Sequence, residues 1–245
     1  MPKAPPIGDA DQLQKILAKI RDGAKNAQPE TSSDPLHTLI ESFFMWNASA
    51  KQAQQALSDL MNVFVDYLEL RVALPHEFIE IIGEDYPVAT ERIIRLRDVL
   101  YEVYLRERGL ELKSLLDKPK KEQRAYLDSL PGIPPYVAAR VMLVAFEGHG
   151  VPVDEKLCTL LAREGALSDE HVRPADAEAF LMKQVKAADA AETHAALQAW
   201  SDRHKTPEVH RDEAEVQHFD DVLEAANAAK KKKKSAPKKK PAAKS

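Results

Sequence analysis

The sequence predicts an all-α protein, and three observations support this prediction. Glycine is scarce, with 8 residues in 245, whereas 44% of the residues are hydrophobic and 30% are charged. Apolar residues recur every three or four positions along most of the chain, which is the period of an amphipathic helix. No long alternating run of Val, Ile and Thr indicates a strand. The length suffices for one large domain or two small domains with a hydrophobic core.

The first part of the chain contains five predicted helices. The first starts near Asp9 or Asp11 and presents an apolar face from Leu13 to Ile20. The second starts at Asp34, because an N-cap Asp followed by a first-turn proline is typical of a helix start. Three further helices are indicated by periodic apolar residues within 53–65, 78–82 and 93–104, the last ending at Gly109.

The second part of the chain contains five more predicted helices. They span 120–129, 135–146, 155–163, 175–185 and 190–203, and Gly165 stops the third of them. About ten helices joined by short loops are therefore expected. Segments 1–8 and 23–33 are rich in proline or polar residues and are predicted to be linkers.

The charge of the chain is divided between an acidic body and a basic tail. The last 16 residues contain nine lysines and no acid, whereas the preceding 229 hold 26 Lys and Arg against 39 Asp and Glu, a net charge of −13. The tail is too charged to bury a core, so we predict that it is disordered and binds nucleic acid without sequence preference. A solubilising or localisation role is the alternative. The tail residues assigned to DNA backbone binding are Lys230, Lys231, Lys232, Lys233 and Lys234.

Several protein classes are excluded by composition. Cys158 is the one cysteine, so an internal disulfide and an all-cysteine zinc or iron–sulfur site are excluded within one chain. No apolar run approaches the ~20 residues of a membrane helix, and residues 1–12 lack the apolar block of a signal peptide. We therefore expect an intracellular, DNA-associated protein without a membrane segment, metal or cofactor, in the cytoplasm and nucleoid or in a nucleus.

The most informative segment is a tight turn between two predicted helices. Leu130-Pro131-Gly132-Ile133-Pro134-Pro135-Tyr136 separates them within 126–146. Such a turn exposes backbone N–H groups and a helix N-terminus, which can hold a DNA phosphate without reading sequence. An ordinary corner between two helices is the alternative. Gly132, Ile133 and Arg140 are the predicted DNA backbone contacts.

Together with Val151-Pro152-Val153-Asp154, this turn resembles the helix–hairpin–helix DNA glycosylases of the endonuclease III type. That family has Leu-Pro-Gly-Val-Gly-x-Lys-Thr-Ala, an apolar helix ending in Ala-Phe-Gly, and then Val-Asp-Thr-His. The stretch 130–154 matches its spacing without a gap. A weaker match is 43–50, which resembles Leu-Leu-Ser-x-Gln-x-Thr-Asp. The resemblance covers about 170 residues, 34–204.

The resemblance implies a role for each matched residue. Asp154 falls on the catalytic carboxylate, which stabilises an oxocarbenium-like sugar and can orient water beside a flipped nucleotide. The alternative role of Asp154, as the N-cap of the next helix, is compatible with catalysis, and we expect the cap to lower its pKa. Tyr136, Asn47 and Trp46 are the predicted base pocket, although Trp46 is equally compatible with core packing.

The departures from the family pattern also carry predictions. Tyr136 replaces the lysine that attacks the sugar in bifunctional members, so we expect no lyase activity. Pro134 replaces the second hairpin glycine and removes one N–H donor. Ala50 replaces a carboxylate, and the four-cysteine cluster loop is absent. Lys156 is expected at the surface, and a positive rim near Arg140 and Lys156 would support DNA contact.

The resulting prediction is an all-α fold in which two helical subdomains flank a cleft. One subdomain would be the hairpin domain, 49–146, and the other would combine the N-terminal helices with 148–223. Along the chain, we expect an N-terminal segment (1–33), the glycosylase-like domain (34–204), a helical extension (205–229) and the tail (230–245). We expect a monomeric, monofunctional glycosylase acting on double-stranded DNA. The alternatives are a non-catalytic DNA-binding relative and a helical interaction protein without DNA.

Overall fold

A computed structural model of the chain describes residues 6–205, 217–219 and 221–224. Within these residues the chain forms α-helices and no strand, apart from one isolated bridge between Gly8 and Leu167. The helices are α1 Ala10–Gly23, α2 Pro35–Met45, α3 Ala50–Val63, α4 Tyr67–Val72, α5 Pro75–Ile82, α6 Ala89–Glu107, α7 Lys120–Asp128, α8 Pro135–Val144, α9 Glu155–Arg163, α10 Pro174–Gln184 and α11 Ala190–Asp202. Short 3₁₀ turns occupy Lys113–Leu115 and Ala187–Asp189.

Side-chain caps explain where several of the helices begin. Asp9 accepts from the N–H of Gln12, and Asp34 accepts from the N–H groups of the second and third residues of α2. Ser49 forms a capping box with Gln52 at the start of α3. A cap oxygen satisfies backbone donors that have no partner inside the helix. The predicted all-α fold is confirmed, and these starts follow from the local sequence.

Helix α4 is the helix that the sequence pattern did not predict. It has six residues and begins at the cap Asp66. Leu68 and Val72 are exposed, and Leu70 is buried. With so few residues and two apolar side chains in solvent, α4 has no periodic apolar face from which it could have been recognised.

The first hydrophobic core gathers the helices from α2 to α8. Its centre includes Phe43, Phe44, Phe78, Leu96 and Val137, all 0% exposed. Helix α2 packs against α3 and α8 in this core. The prediction that the N-terminal helices pack as one group with the C-terminal part is therefore wrong for α2. Its apolar residues cover most of its surface, which suits an element enclosed by neighbours on several sides.

The second hydrophobic core joins the two ends of the described chain. The apolar face of α1 packs on α11, and residues of α9 and α10 complete this core. Helix α8 links the cores, because Val137 and Val141 belong to the first and Leu143 and Val144 to the second. The hairpin and the loop that leads to Asp154 are thereby attached to one shared helix.

A close backbone approach positions the loop between α8 and α9. A Cβ atom at Gly150 would lie 2.8 Å from the carbonyl oxygen of Ala139, in the middle of α8. Glycine is thus required where this loop crosses α8. The contact holds the chain four residues before Asp154 against the helix that carries Tyr136.

A short helical segment, residues 217–219 and 221–224, contacts α6. The guanidinium of Arg95 lies 5.1 Å from the ring centroid of Phe219, which is buried. The lysine-rich tail, including Lys230 to Lys234, lies outside the described residues. The domain boundaries at 33, 204 and 229 stay predictions.

Candidate functional site

Asp154 lies at the start of α9 with both carboxylate oxygens hydrogen-bonded to backbone. Oδ1 accepts from the N–H of Leu157 at 2.8 Å, and Oδ2 accepts from the N–H of Asn47 at 2.9 Å. The side chain is 4% exposed. The carboxylate therefore caps its own helix and also fixes the loop that follows α2. Each oxygen keeps a second lone pair that could face a substrate.

Burial determines the ionisation of Asp154. It raises the pKa of the carboxyl to about 6, and Glu155 adds to this increase, although the hydrogen bonds from Leu157 and Asn47 lower it. The capping bond lowers the pKa as expected, but the net pKa is raised, so the expectation of a depressed pKa is wrong. Removal of the carboxylate from water outweighs two hydrogen bonds, because desolvation penalises the charged form.

Asn47 lies more than 100 residues before α9 in the sequence, yet its side chain accepts a hydrogen bond from a backbone N–H in the first turn of that helix. Its φ of +57° lies in the left-handed region, which Asn tolerates better than most residues. Its Oδ1 accepts from the N–H of Lys156 at 3.1 Å, and its Nδ2 donates to Oε2 of Glu155 at 2.8 Å. Both ends of the side-chain amide are thus engaged in joining the loop after α2 to α9.

Tyr136 is near Asp154 but is enclosed. It is 1% exposed, and its hydroxyl donates to Oε1 of Gln198 in α11 at 3.2 Å. Burial raises the pKa of the phenol, and the negative charge of Asp154 contributes in the same direction. The two residues that the sequence placed at the cleft therefore lie within electrostatic range, with Tyr136 as a neutral phenol.

Arg140 does not reach the surface, so the prediction that it contacts DNA phosphate is wrong. It is 0% exposed, and its guanidinium donates to Glu30 at 2.5 Å, to Glu41 at 2.8 Å and to Ser42 at 3.0 Å. The partners come from segments about 100 residues away in sequence. An early signal was available, since Arg140 interrupts the most apolar stretch of the chain.

Lys156 is also buried, at 2% exposure, which contradicts its expected surface position. Burial lowers the pKa of its ammonium, while the carboxylates of Asp154 and Asp202 act in the opposite direction. Since Arg140 and Lys156 are both internal, they cannot form a positive rim beside the hairpin.

The hairpin turn has few donors and no uncompensated arginine. Gly132 is exposed with φ +66°, a left-handed conformation that favours glycine. The N–H of Ile133 points to the carbonyl of Leu130 at 3.4 Å, and Pro134 has no N–H. Arg95 donates to the carbonyl of Gly132 but is paired with Glu91. The N–H of Gly132 is the donor that the turn could offer to a phosphate, because Pro135 at the start of α8 has no N–H and the N–H of Val137 donates to the carbonyl of Pro134.

An open pocket of about 230 Å³, which we call the front cavity, lies between the loop after α2, the hairpin and α9. Trp46, Asn47 and the hairpin residues 133–135 line one side of it, and Glu155 and Thr159 of α9 line another. Two predicted pocket residues, Trp46 and Asn47, thus line the cavity, whereas Tyr136 does not. The remaining lining residues are Glu91, Arg95, Glu170, His171, Val172, Arg173 and Pro174.

Two residues of this site were missed by sequence reasoning. Glu155 accepts from the indole N–H of Trp46 and the amide of Asn47, both at 2.8 Å. Arg92 is fully buried, donates to the carbonyl oxygens of Trp46 and Pro87, and lies 4.8 Å from the ring centroid of Tyr86. An acid in a first helical turn and an arginine within a helix are common, so their residue types gave no signal.

A second pocket, of about 210 Å³, lies beside α11, and we call it the rear cavity. Gln198 and Asp202 line it, and Nε2 of Gln198 donates to Asp202 at 2.7 Å. Asp202 also accepts from the N–H of Ala50. Gln198 lines the rear cavity and also accepts a hydrogen bond from the Tyr136 hydroxyl. Asp154 lines neither pocket, but Asn47, which donates to its carboxylate, lines the front cavity.

The described ranges offer no candidate metal site and no candidate membrane span. They contain no cluster of three or more His, Cys, Asp or Glu side chains that could hold a metal ion. They also contain no helix long and apolar enough to cross a membrane. Cys158 is buried in the second core, as expected of a small apolar side chain.

Comparison with known proteins identifies the fold. No family model and no curated protein matches the sequence. Among solved structures, a trapped endonuclease III–DNA covalent intermediate matches with a TM-score of 0.58 at 16% identity, covering 78% of this chain and 85% of that one. A thermostable thymine-DNA glycosylase matches with 0.54 at 17% identity, covering 79% and 88%. The H. pylori 3-methyladenine DNA glycosylase matches with 0.52 at 14% identity, covering 80% and 99%. The chain has the fold of the helix–hairpin–helix DNA glycosylases.

Proposed function

We propose that the protein is a DNA N-glycosylase in which Asp154 is the essential carboxylate. The observation that carries this proposal is the position of Asp154, which caps α9, accepts from the N–H of the front-cavity residue Asn47 and lies close enough to Tyr136 for its charge to act on the phenol. The similar structures include complexes with DNA, such as a non-covalent endonuclease III–DNA complex. Position in the fold and the chemistry of the residue thus support the same reaction.

In the proposed reaction, the bond between the base and sugar C1′ breaks and its electron pair leaves with the base. The sugar becomes oxocarbenium-like, and the negative charge of Asp154 stabilises it. Water then adds to C1′, and its proton passes to the carboxylate. The backbone bonds from Asn47 and Leu157 hold the carboxylate in place without neutralising its charge.

We further propose that the enzyme is monofunctional. A lyase needs an amine that attacks C1′, and the hairpin position carries the neutral phenol of Tyr136 instead. Lys156, whose charge acts on Asp154, is buried, and the carboxylates of Asp154 and Asp202 both act on its ammonium. Water is then the nucleophile.

DNA is proposed to bind across the hairpin and the mouth of the front cavity. The exposed turn at Gly132 would hold one phosphate of a duplex. Because the arginines bonded to this turn are paired with acids, the described body offers little uncompensated positive charge there. Arg106, for example, donates to Ser129 and pairs with Glu102. The lysine-rich tail would therefore supply most of the nonspecific affinity.

The decisive experiment measures base release from duplexes that contain uracil, a G:T mismatch, an alkylated base or an oxidised base. The wild type is expected to release one class, and Asp154→Asn should be at least ~100-fold slower. Asp34→Asn is the matched control, because Asp34 also caps a helix and accepts two backbone N–H groups. Equal base release by wild type and Asp154→Asn would reject the proposal.

A non-catalytic DNA-binding protein is the second candidate, and the 4% exposure of Asp154 favours it. A carboxylate that only caps a helix needs no access to a substrate. This candidate predicts DNA binding by wild type and Asp154→Asn alike, with no base released from any duplex in the panel.

A further inference from the structure

Glu155 contributes a carboxylate to the front cavity, and only one of its two oxygens forms hydrogen bonds within the protein. Its Oε2 accepts two hydrogen bonds, from Trp46 and Asn47. Within the described part of the chain, Oε1 has no hydrogen-bond partner and Glu155 has no ion pair. A carboxylate oxygen accepts hydrogen bonds and cannot donate them. The front cavity therefore contains one oriented acceptor that is available to a ligand.

The other carboxylates of this cavity have their charge compensated. Glu91 pairs with Arg95 at 2.6 Å, and Glu170 pairs with Arg163 at 3.2 Å. Among the carboxylates that line the front cavity, Glu155 is therefore the one that forms no ion pair with a described cation. A ligand that donates N–H groups towards Glu155 would satisfy this charge, whereas a ligand that presents a carbonyl oxygen would be repelled.

The geometry around Glu155 is fixed before any ligand binds. Trp46 is itself positioned by its own bond to Glu155 and by Arg92, which donates to the Trp46 carbonyl oxygen. The indole N–H is already used and Trp46 is 4% exposed within the first core, so Trp46 adds a small apolar part of its side chain, and no donor, to the cavity wall. A small apolar surface next to one oriented acceptor suits a planar heterocycle that carries an amino group.

We propose that Glu155 reads the flipped base in the front cavity and selects bases with an exocyclic amine, such as those of the adenine or cytosine type. This inference rests on the proposed function, because it takes the front cavity as the place of the flipped base. Oε1 would accept the amine hydrogen, and the part of the Trp46 side chain that lines the cavity would contact the edge of the ring. Bases with a carbonyl at that position would be disfavoured.

The test compares bases that differ only in an amine or a carbonyl. Duplexes carry one cytosine or uracil, or one adenine or hypoxanthine, opposite an abasic-site analogue, with a 2′-fluoro sugar that resists cleavage. Competition against a labelled duplex gives the affinity of each. The wild type should prefer each amino base about 10- to 100-fold, the range expected for one hydrogen bond to a charged group.

Glu155→Gln is the informative variant. Its amide oxygen can still accept from Trp46 and Asn47, which leaves an NH₂ group where Oε1 was, so the acceptor becomes a donor. The preference should fall to about 1 or reverse in favour of uracil and hypoxanthine. Glu170→Gln, at the same cavity, is the matched control and should keep the wild-type preference. If Glu155→Gln melts at a lower temperature, Glu155→Asp serves instead, since it withdraws the oxygen and should lose the preference without reversal.

The outcomes separate this inference from the proposed function. Equal amino and carbonyl affinities in the wild type, or an unchanged preference in both Glu155 variants, would overturn the role of Glu155. Binding to uncleavable duplexes does not require catalysis. A shifted preference together with undiminished base release by Asp154→Asn would therefore reject the catalytic proposal alone.

Discussion

The backbone N–H of Asn47 donates to Oδ2 of Asp154 at 2.9 Å, and this bond joins two segments 107 residues apart. It places the loop after α2 and the first turn of α9 on either side of one carboxylate. The loop belongs to the first core and α9 to the second. The geometry of the candidate site therefore depends on how the two cores are held together.

Base release should depend on pH through Asp154. The pKa of about 6 implies that the carboxylate is mostly charged at pH 7.5 and mostly neutral at pH 5. Because the charged form stabilises the transition state, the rate should fall about tenfold per pH unit below pH 6. Single-turnover rates on the duplex whose base the wild type releases would measure this. A flat profile between pH 5 and 7.5 would contradict the assignment.

The stability of the fold should also depend on pH through Asp154, but it should increase as the pH falls, whereas the rate of base release should decrease. A carboxyl whose pKa is raised by folding, from 3.8 to about 6, binds a proton more tightly in the native state. The native state therefore gains stability as the pH falls from above 6 towards 3.8, at most about 1.4 kcal/mol per unit. Urea unfolding of wild type and Asp154→Asn would isolate this contribution, which should be absent from the variant.

Arg140→Ala should destabilise the protein by about 3–5 kcal/mol, because it leaves Glu41 and Ser42 without their buried partner. The exposed Arg173, paired with Asp176, is the matched control, and Arg173→Ala should leave the midpoint of denaturant unfolding essentially unchanged. Denaturant unfolding measures both. A small effect of Arg140→Ala together with weaker DNA binding would restore the phosphate-contact role.

Borohydride should trap no covalent adduct between the protein and a substrate duplex. Tyr136 provides no amine, and the Lys156 ammonium is buried, with the negative charges of Asp154 and Asp202 favouring its charged form. Gel analysis after reduction gives the readout. If an adduct does form and disappears in Lys156→Met, then Lys156 is a nucleophile and the enzyme is bifunctional.

Deletion of residues 230–245 should remove most of the nonspecific DNA affinity. If roughly half of its nine lysines contact phosphates, the slope of log K against log salt should flatten by about 4. Gly132→Ala, at the hairpin, should change the slope by about 1 or 2, since it affects one or two contacts. Titrations at several salt concentrations would test this. Identical slopes for full-length and truncated protein would favour a localisation or solubility role.

The helices and the position of Asp154 were predictable because their signals are local. Apolar periodicity, the caps Asp9 and Asp34, and the ungapped spacing from the hairpin to Asp154 all lie within short stretches of sequence. Capping by Asp154 was predicted for the same reason, and its bond to Leu157 confirms it. These features determined the fold class and the candidate carboxylate.

The charge environment of the site was decided by tertiary structure. Arg140 is buried because Glu30 and Glu41 reach it from the N-terminal part of the chain. Asp154 has a raised pKa because both cores exclude water from it, and Lys156 lies beside Asp202 from α11. The free oxygen of Glu155 exists only because Trp46 and Asn47 occupy the other one. Such effects depend on distances between residues far apart in sequence, whereas periodicity and capping depend on neighbours along the chain.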